Sequence, residues 1–134
     1  MIGTLRRLWR KPIPLAPLRP GPPLIILGMH RSGTSGVTRL LNLAGAYFGP
    51  EGSATEPNEE NPRGFWERRD VRAVCDGLLR ESGFDWWKLV GFAPEQVPDD
   101  VRQRWLDAFA SVLEDLDAHR PWVLKEPRLC MLFP

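Results

Sequence analysis

The sequence predicts an α/β fold in which a parallel sheet is flanked by helices. Two short apolar runs, 24–27 and 122–125, are each followed by polar or charged residues, as expected of buried strands. The segment between them contains apolar residues at helical spacing, and strands joined by helical crossovers pair in parallel. Because ligands of such sheets bind at the carboxyl ends of the strands, we expect a functional site at that edge.

The residues after the first run form a loop that is predicted to bind an anion. The run gives way to Gly28, a polar stretch and Gly33, and then to a helix predicted for 34–44. Backbone N–H groups at the start of a helix lack intrahelical partners and lie at the positive end of its dipole. The glycines have the spacing of the nucleotide-triphosphate loop G-x-x-x-x-G-K-[ST], but Thr34 stands where the lysine is usual and the cation is Arg31. The pattern predicts a P-loop-containing nucleotide-binding fold, and the alternative is a tight turn whose glycines serve only backbone geometry.

This loop resembles that of the PAPS-dependent sulfotransferases, in particular the bacterial sulfotransferase-like proteins. In that family a P-[KR]-S-G-T-[TS] motif binds the 5′-phosphosulfate of the donor PAPS (3′-phosphoadenosine 5′-phosphosulfate). The match here runs from Arg31 to Ser35, and His30 stands where many members have proline. A lone histidine at this position is expected to be a loop residue rather than a catalytic base. The resemblance implies a donor site formed by His30, Arg31, Ser32, Gly33, Thr34 and Ser35.

The end of the second strand adds to the resemblance. Lys125 matches a strand-end lysine that, in the family, stabilises the leaving phosphate and the transferring sulfonate. Glu126 stands where aspartate or threonine is usual, and Pro127 occupies the position of the general-base histidine of the cytosolic enzymes. The resemblance therefore implies that a carboxylate, Glu67 or Glu126, replaces that base. The alternative for Lys125 and Glu126 is an ion pair near solvent, which contributes little to stability.

A long irregular loop, 46–64, is expected to fold back over a ligand. It is rich in proline, glycine and glutamate, and loops of this length in compact domains are usually functional or mobile. Its continuation, 61–67, is similar to an N-P-[KR]-G-[YF]-x-E segment of bacterial sulfotransferase-like proteins. Glu67 is expected to open a helix that ends at 82–83. At the start of that helix, Glu67 either accepts the proton of a substrate hydroxyl or complements the helix dipole.

The region before the second strand predicts one further helix. Asp99 or Asp100 is expected to cap it, and Pro121 closes it. The preceding aromatic residues are predicted to cap the core rather than to line an acceptor pocket. They are Phe84, Trp86 and Trp87.

Composition limits the remaining possibilities. The 134-residue chain has a net charge of +1, and five of its 18 basic residues lie in a proline- and arginine-rich arm, 1–23, that contains no acid and is predicted to be disordered. The rest is mildly acidic, which argues against a nucleic-acid binder. Cys75 and Cys130 lack metal-ligand spacing and predict reduced thiols in a cytoplasmic protein. No apolar run approaches the roughly 18 residues that span a bilayer.

The resemblance implies transfer of a sulfonate group from PAPS to a hydroxyl or amine acceptor, without a metal. The family also needs a 3′-phosphate site on a later strand and helix, which the sequence does not contain before Pro134. Residues 24–134 are therefore expected to be the N-terminal part of a truncated sulfotransferase-like domain that alone binds PAPS weakly. Two alternatives stay open: a magnesium-dependent kinase or NTPase that uses the same loop, and a non-catalytic relic that acts as a binding or scaffold module.

Overall fold

The computed structural model describes residues 21–132, which form a mixed α/β structure with a two-stranded parallel sheet. The predicted arm, 1–23, falls outside these residues except for its last three positions. The elements follow one another in this order: β1 (Leu24–Ile26), α1 (Thr34–Leu43), α2 (Arg69–Glu81), a short 3₁₀ helix (Pro94–Gln96), α3 (Asp99–Asp117), β2 (Val123–Lys125) and α4 (Leu129–Leu132).

The register of the sheet fixes where the site lies. β1 and β2 pair in parallel, as predicted, with Ile26 opposite Lys125. On the other side of β2, the amide of Val123 donates to the carbonyl oxygen of Tyr47 at 2.8 Å. β2 is therefore the inner strand, and its terminal lysine lies level with the end of β1, where the glycine-bounded loop begins.

The core consists of two clusters on opposite sides of β2. Leu124 packs with α2 and α3, whereas Val123 packs with Phe48 and the half-buried Leu41 of α1. Side chains of successive strand residues point to opposite faces, so one three-residue strand contributes to both clusters. Burial of its apolar residues on both faces holds β2, and with it Lys125, in a fixed position.

The predicted helices are confirmed, but two of their starts differ from the predictions. α2 begins at Arg69 and not at Glu67, because Trp66 has a left-handed φ of 52° and Arg68 is extended. α3 is preceded by Pro98 as its N-cap residue, and no side chain caps it, so the predicted cap by Asp99 or Asp100 is wrong. Both aspartates lie instead in the first turn, where they complement the helix dipole.

The two cysteines are free thiols. Cys75 lies in the core, where burial raises the pKa of its thiol, and Cys130 is half-buried. Within residues 21–132, none of the helices has the length and apolarity needed to cross a bilayer.

Candidate functional site

A cavity of about 730 Å³ lies at the carboxyl ends of the two strands. It is lined by the loop between β1 and α1, by the 55–67 segment, by α2 and by the end of β2. Most of the residues predicted to form the site line this cavity. They are His30, Arg31, Gly33, Thr34, Ser35, Glu67 and Lys125. Ser32 and Glu126 do not line it.

The loop between β1 and α1 turns sharply onto the first turn of the helix. Gly33 adopts a left-handed φ of 85°, a conformation that glycine takes without steric cost. Arg31 is also left-handed, with φ of 66°, which is uncommon for a residue that carries a side chain. A Cβ atom on Gly28 would lie 2.6 Å from Cγ2 of Thr34, so the loop passes too close to α1 for any side chain there. Such strained backbone is most often kept where the conformation serves a function.

The amides at the start of α1 are available to a ligand. Ser32 closes the turn, since its hydroxyl donates to the carbonyl oxygen of Met29 at 2.6 Å. Within the described part of the chain, the amides of Gly33, Thr34 and Ser35 donate to no protein acceptor, and the first turn carries no acid. The positive end of the helix dipole therefore meets the cavity with unpaired donors, an arrangement that suits an anion.

Lys125 joins three segments at the floor of the cavity. Its Nζ lies 2.5 Å from Oε1 of Glu67 and 3.3 Å from the carbonyl oxygen of Phe65, and more distantly 3.5 Å from Oγ of Ser35. Both charged side chains of the pair are 4% exposed. The alternative in which Lys125 pairs with its neighbour Glu126 is therefore wrong, because the lysine pairs with a residue of the 46–68 segment.

Glu126 points into the protein. Lys125 lines the cavity, and the following residue of an extended chain points to the opposite side. Oε1 of Glu126 accepts hydrogen bonds from the guanidinium of Arg128 at 2.6 Å and from its backbone amide at 3.1 Å. The residue is fully buried, and burial raises the pKa of its carboxyl despite the neighbouring guanidinium. The expectation that Glu126 accepts a substrate proton has no geometric support, since the side chain is fully buried and does not line the cavity.

The 46–68 segment, which includes the irregular loop predicted for 46–64, folds back against the loop between β1 and α1. Nη1 of Arg31 donates to the carbonyl oxygen of Glu60 at 3.0 Å, and Oγ of Ser35 donates to that of Phe65 at 2.7 Å. The amide of Thr55 donates to the carbonyl oxygen of Glu67 at 2.7 Å, which closes the segment into a ring. These bonds hold the segment against the loop and form the far wall of the cavity.

An aromatic pair forms the remaining wall. The rings of His30 and Trp86 lie 4.9 Å apart at an interplanar angle of 39°, and the guanidinium carbon of Arg128 lies 5.8 Å from the Trp86 ring. Trp86 is 39% exposed and Trp87 is 69% exposed, so the prediction that they cap the core is wrong. Phe84, by contrast, packs edge-on against Phe92 at 5.2 Å.

The electrostatic surroundings of His30 keep its imidazole neutral. His30 is exposed at the cavity mouth, and the partial desolvation of its ring is the largest cause that lowers its pKa; the positive charges of Arg128, Lys125 and Arg72 lower it further. The carboxylate of Glu67 raises it, but does not offset the other contributions. At neutral pH the ring therefore has an unprotonated nitrogen.

Sequence reasoning assigns no role in the site to Trp86, Arg72 or Arg128, although all three line the cavity. The aromatic cluster that contains Trp86 predicts a core position. Arg128 lies in the strand-end segment that is predicted at this edge of the sheet, and Arg72 of α2 carries no sequence signal. Among residues 21–132, no group of three or more His, Cys, Asp or Glu residues is arranged to hold a metal ion.

Comparison of the chain with protein-family models, with curated proteins and with solved structures finds no match. The arrangement itself combines unpaired helix amides, a loop guanidinium and a strand-end ammonium around one cavity. It can bind a phosphate-sized anion and neutralise charge that develops beside it.

Proposed function

We propose that this protein is a sulfotransferase-like enzyme that binds the phosphosulfate of PAPS in the cavity and transfers its sulfonate to a hydroxyl or amine acceptor. The observation that carries the proposal is the contact between Lys125 and the start of α1, where Nζ lies 3.5 Å from Oγ of Ser35. A cation from the end of β2 and the residues of a helix start thus line the same cavity. The same strand–loop–helix arrangement supports a P-loop-type nucleotide-binding fold.

The loop would hold the 5′-phosphate. The amides of Gly33, Thr34 and Ser35 supply donors that have no protein acceptor in the described residues, and Arg31 supplies a guanidinium. Arg31 is bonded to a neutral carbonyl oxygen, that of Glu60. Because a phosphate oxygen carries negative charge and can accept two N–H groups of the guanidinium, whereas the carbonyl oxygen is neutral, a phosphate oxygen can take this place.

Lys125 would neutralise the charge that develops on the bridging oxygen when the sulfonate leaves. Its bond to Glu67 is short, whereas its contact with Ser35 is long at 3.5 Å. The ammonium can therefore turn one N–H toward a phosphosulfate while Glu67 still holds it. Glu67 is therefore a positioning residue, because it holds the ammonium of Lys125. PAPS, when bound, supplies the activated sulfonate.

The loop favours a sulfonate donor over ATP. A nucleotide-triphosphate loop uses the lysine that directly precedes its Ser or Thr to neutralise the outer phosphates, and here Thr34 occupies the lysine position before Ser35. Lys125 supplies the positive charge from the strand end instead. This difference supports a donor that is cleaved next to its 5′-phosphate.

Calorimetry with PAP, the desulfonated product of PAPS, tests the proposal. Replacing Arg31 with alanine removes a charge-assisted hydrogen bond, so we expect PAP to bind about tenfold more weakly or worse. Arg80→Ala is the matched control, because Arg80 is an exposed arginine of α2 that does not line the cavity, and it should leave the affinity unchanged. PAP affinity that is equal in the Arg31 and Arg80 variants, or tighter binding of magnesium–ATP than of PAP, would contradict the proposal.

A further inference from the structure

We infer that His30 is the general base that takes the proton from the acceptor during sulfonate transfer. This inference rests on the proposed function and departs from the sequence-based expectation, in which His30 is a loop residue of the donor site rather than a catalytic base. Three observations support the inference. They are the position of His30 in the cavity, the hydrogen bonds and ion pairs that occupy the buried carboxylates nearby, and the charges that face the imidazole.

His30 lies where the donor and the acceptor would meet. It precedes Arg31 in the loop and lines the same cavity as Lys125, the residue beside the proposed leaving oxygen. Its ring packs on Trp86 at a centroid distance of 4.9 Å. The tryptophan restricts the rotation of the imidazole and keeps it on the cavity wall, so Trp86 acts as a positioning residue.

The carboxylates that line or adjoin the cavity are unsuited to this task. Glu67 is bound to Lys125 at 2.5 Å, and Glu126 is fully buried and bonded to Arg128. Glu56 and Glu60 line the cavity from the 46–68 segment and are exposed, as His30 is, but His30 packs on the Trp86 ring, which gives its side chain a fixed neighbour. Within residues 21–132, no hydrogen bond or ion pair fixes either of these two carboxylates near the loop. A general base must be held within hydrogen-bond reach of the proton that it accepts.

The charges around His30 favour a neutral ring before the reaction. Lys125 and Arg128 face it from the strand end, Arg72 from α2, and Glu67 from the 46–68 segment. Partial desolvation of the ring and the excess of positive charge lower the pKa of His30, so the imidazole carries a free electron pair at neutral pH. A bound donor brings negative charge to the same cavity and so favours the imidazolium at the moment when the proton arrives.

In this step, one bond to sulfur forms as another breaks. The acceptor oxygen forms a bond to sulfur while the bond between sulfur and the bridging oxygen of the phosphate breaks. The electron pair of that broken bond stays on the phosphate oxygen beside Lys125, and the acceptor proton passes to a ring nitrogen of His30. Solvent takes the proton from the imidazolium after the products leave.

Proton NMR can test this because the chain contains only two histidines. His119 is the built-in control: it stacks on Tyr47 at 4.2 Å, its Nδ1 lies 2.8 Å from the carbonyl oxygen of Asp115, and it does not line the cavity. We expect the ring signal of His30 to titrate at lower pH than a free histidine. Saturation with PAP should raise the pKa of His30 and leave the His119 ring signal unmoved. PAP binding that leaves the His30 signal unmoved would overturn the inference while the proposed function stands.

A kinetic measurement separates a base from a binding residue. The probe is PAPS with water as acceptor, followed as release of inorganic sulfate. We expect His30→Gln to lower this rate about a hundredfold, to abolish its increase with pH, and to change PAP affinity by less than about twofold. His119→Gln should alter none of these. Equal rates for His30→Gln and the wild type, or loss of PAP affinity in His30→Gln, would overturn the role as base, whereas absence of PAP binding by the wild type would remove the proposed function itself.

Discussion

At the scale of single residues, the ion pair of Lys125 and Glu67 determines both the stability and the chemistry of the cavity. Each side chain is 4% exposed, and Nζ lies 2.5 Å from Oε1. Removing one partner of a buried pair leaves a charge without compensation, and this usually costs more than the pair contributes in total. The stability of the site therefore depends on both members being present together.

Glu67→Gln should lower the free energy of unfolding by about 3 kcal/mol, because it leaves the buried ammonium without a counter-charge. Lys125→Met should have a cost of similar size for the reciprocal reason. The double variant should lose clearly less than the sum of the two, and urea unfolding measures all three. Glu81→Gln is the control, since Glu81 forms an exposed pair with Arg104 and should cost under about 1 kcal/mol. Additive costs at Glu67 and Lys125 would show that the pair is not coupled.

The residues of the loop could be predicted from the sequence, but the partners of the strand-end residues could not. A glycine-bounded loop before a helix restricts its own geometry, so Arg31 and Gly33 were placed correctly on the cavity. The partner of Lys125 depends on how the 46–68 segment folds back, which no local pattern encodes. Glu126 was assigned to the cavity because it adjoins Lys125 in sequence, whereas neighbouring residues of an extended strand end point to opposite sides.

At the scale of secondary-structure elements, the contact between α2 and α3 depends on the close approach of one glycine to one tryptophan ring. A Cβ atom built on Gly77 of α2 would lie 2.2 Å from Cη2 of Trp105 on α3. Gly36 of α1, by comparison, has open space around the same position. Both glycines lie within helices and have helical backbone conformation, so the difference between them is in the neighbouring side chains.

Alanine should therefore have opposite effects at these two glycines. Gly77→Ala should lower the free energy of unfolding by about 2 kcal/mol, because the methyl group forces the Trp105 ring out of its place. Gly36→Ala should raise it by about 1 kcal/mol, since alanine is the better helix former and meets no neighbour. Thermal unfolding followed by circular dichroism measures both. Stabilisation by Gly77→Ala would mean that α3 packs elsewhere than described here.

Local patterns predicted the elements better than their ends. The 3.6-residue spacing of apolar residues located α1, α2 and α3, and an apolar run before a proline located β2. The start of α2 was placed two residues too early, because the left-handed φ of Trp66 belongs to a residue type that rarely adopts it. Trp86 was assigned to the core from its apolar character, but the surface that it covers is formed by His30 and Arg128 from distant segments.

At the scale of the whole molecule, Arg68 connects the 46–68 segment, in which it lies, with α2 and α3. It is 3% exposed and lies at the end of the 46–68 segment. Its guanidinium pairs with Asp70 of α2 at 2.7 Å and with Asp115 of α3 at 2.6 Å. Tyr47, which is bonded to β2 through its backbone, also donates its hydroxyl to Asp115 at 3.1 Å. The wall of the cavity is thereby attached to both helices of the larger core cluster.

This network predicts how stability depends on pH. The hydrogen bond from Arg68 is the main cause that holds the pKa of Asp115 below its ordinary value of 3.8. Because the folded state has the lower pKa, the stabilisation is complete above that value and is lost as the pH falls through the folded pKa. Asp115→Asn should cost about 1 kcal/mol at pH 7 and flatten the loss of stability below pH 4.

The matched control for this prediction is Asp107→Asn. Asp107 is exposed on the same helix and accepts a hydrogen bond only from Gln103 among the described residues. Urea unfolding between pH 2.5 and 7 should give a control curve that is parallel to the wild type. An Asp115→Asn curve that also runs parallel to the wild type would refute the assigned role of the network.

Backbone-amide NMR during titration with PAP tests the central claim most directly, namely that the start of α1 and the end of β2 together form one anion site. The account predicts that the amide signals of Gly33, Thr34 and Ser35 move most, that the signal of Lys125 moves with them, and that all saturate at the same PAP concentration. Amide shifts confined to other parts of the molecule, or none at PAP concentrations well above millimolar, would contradict it.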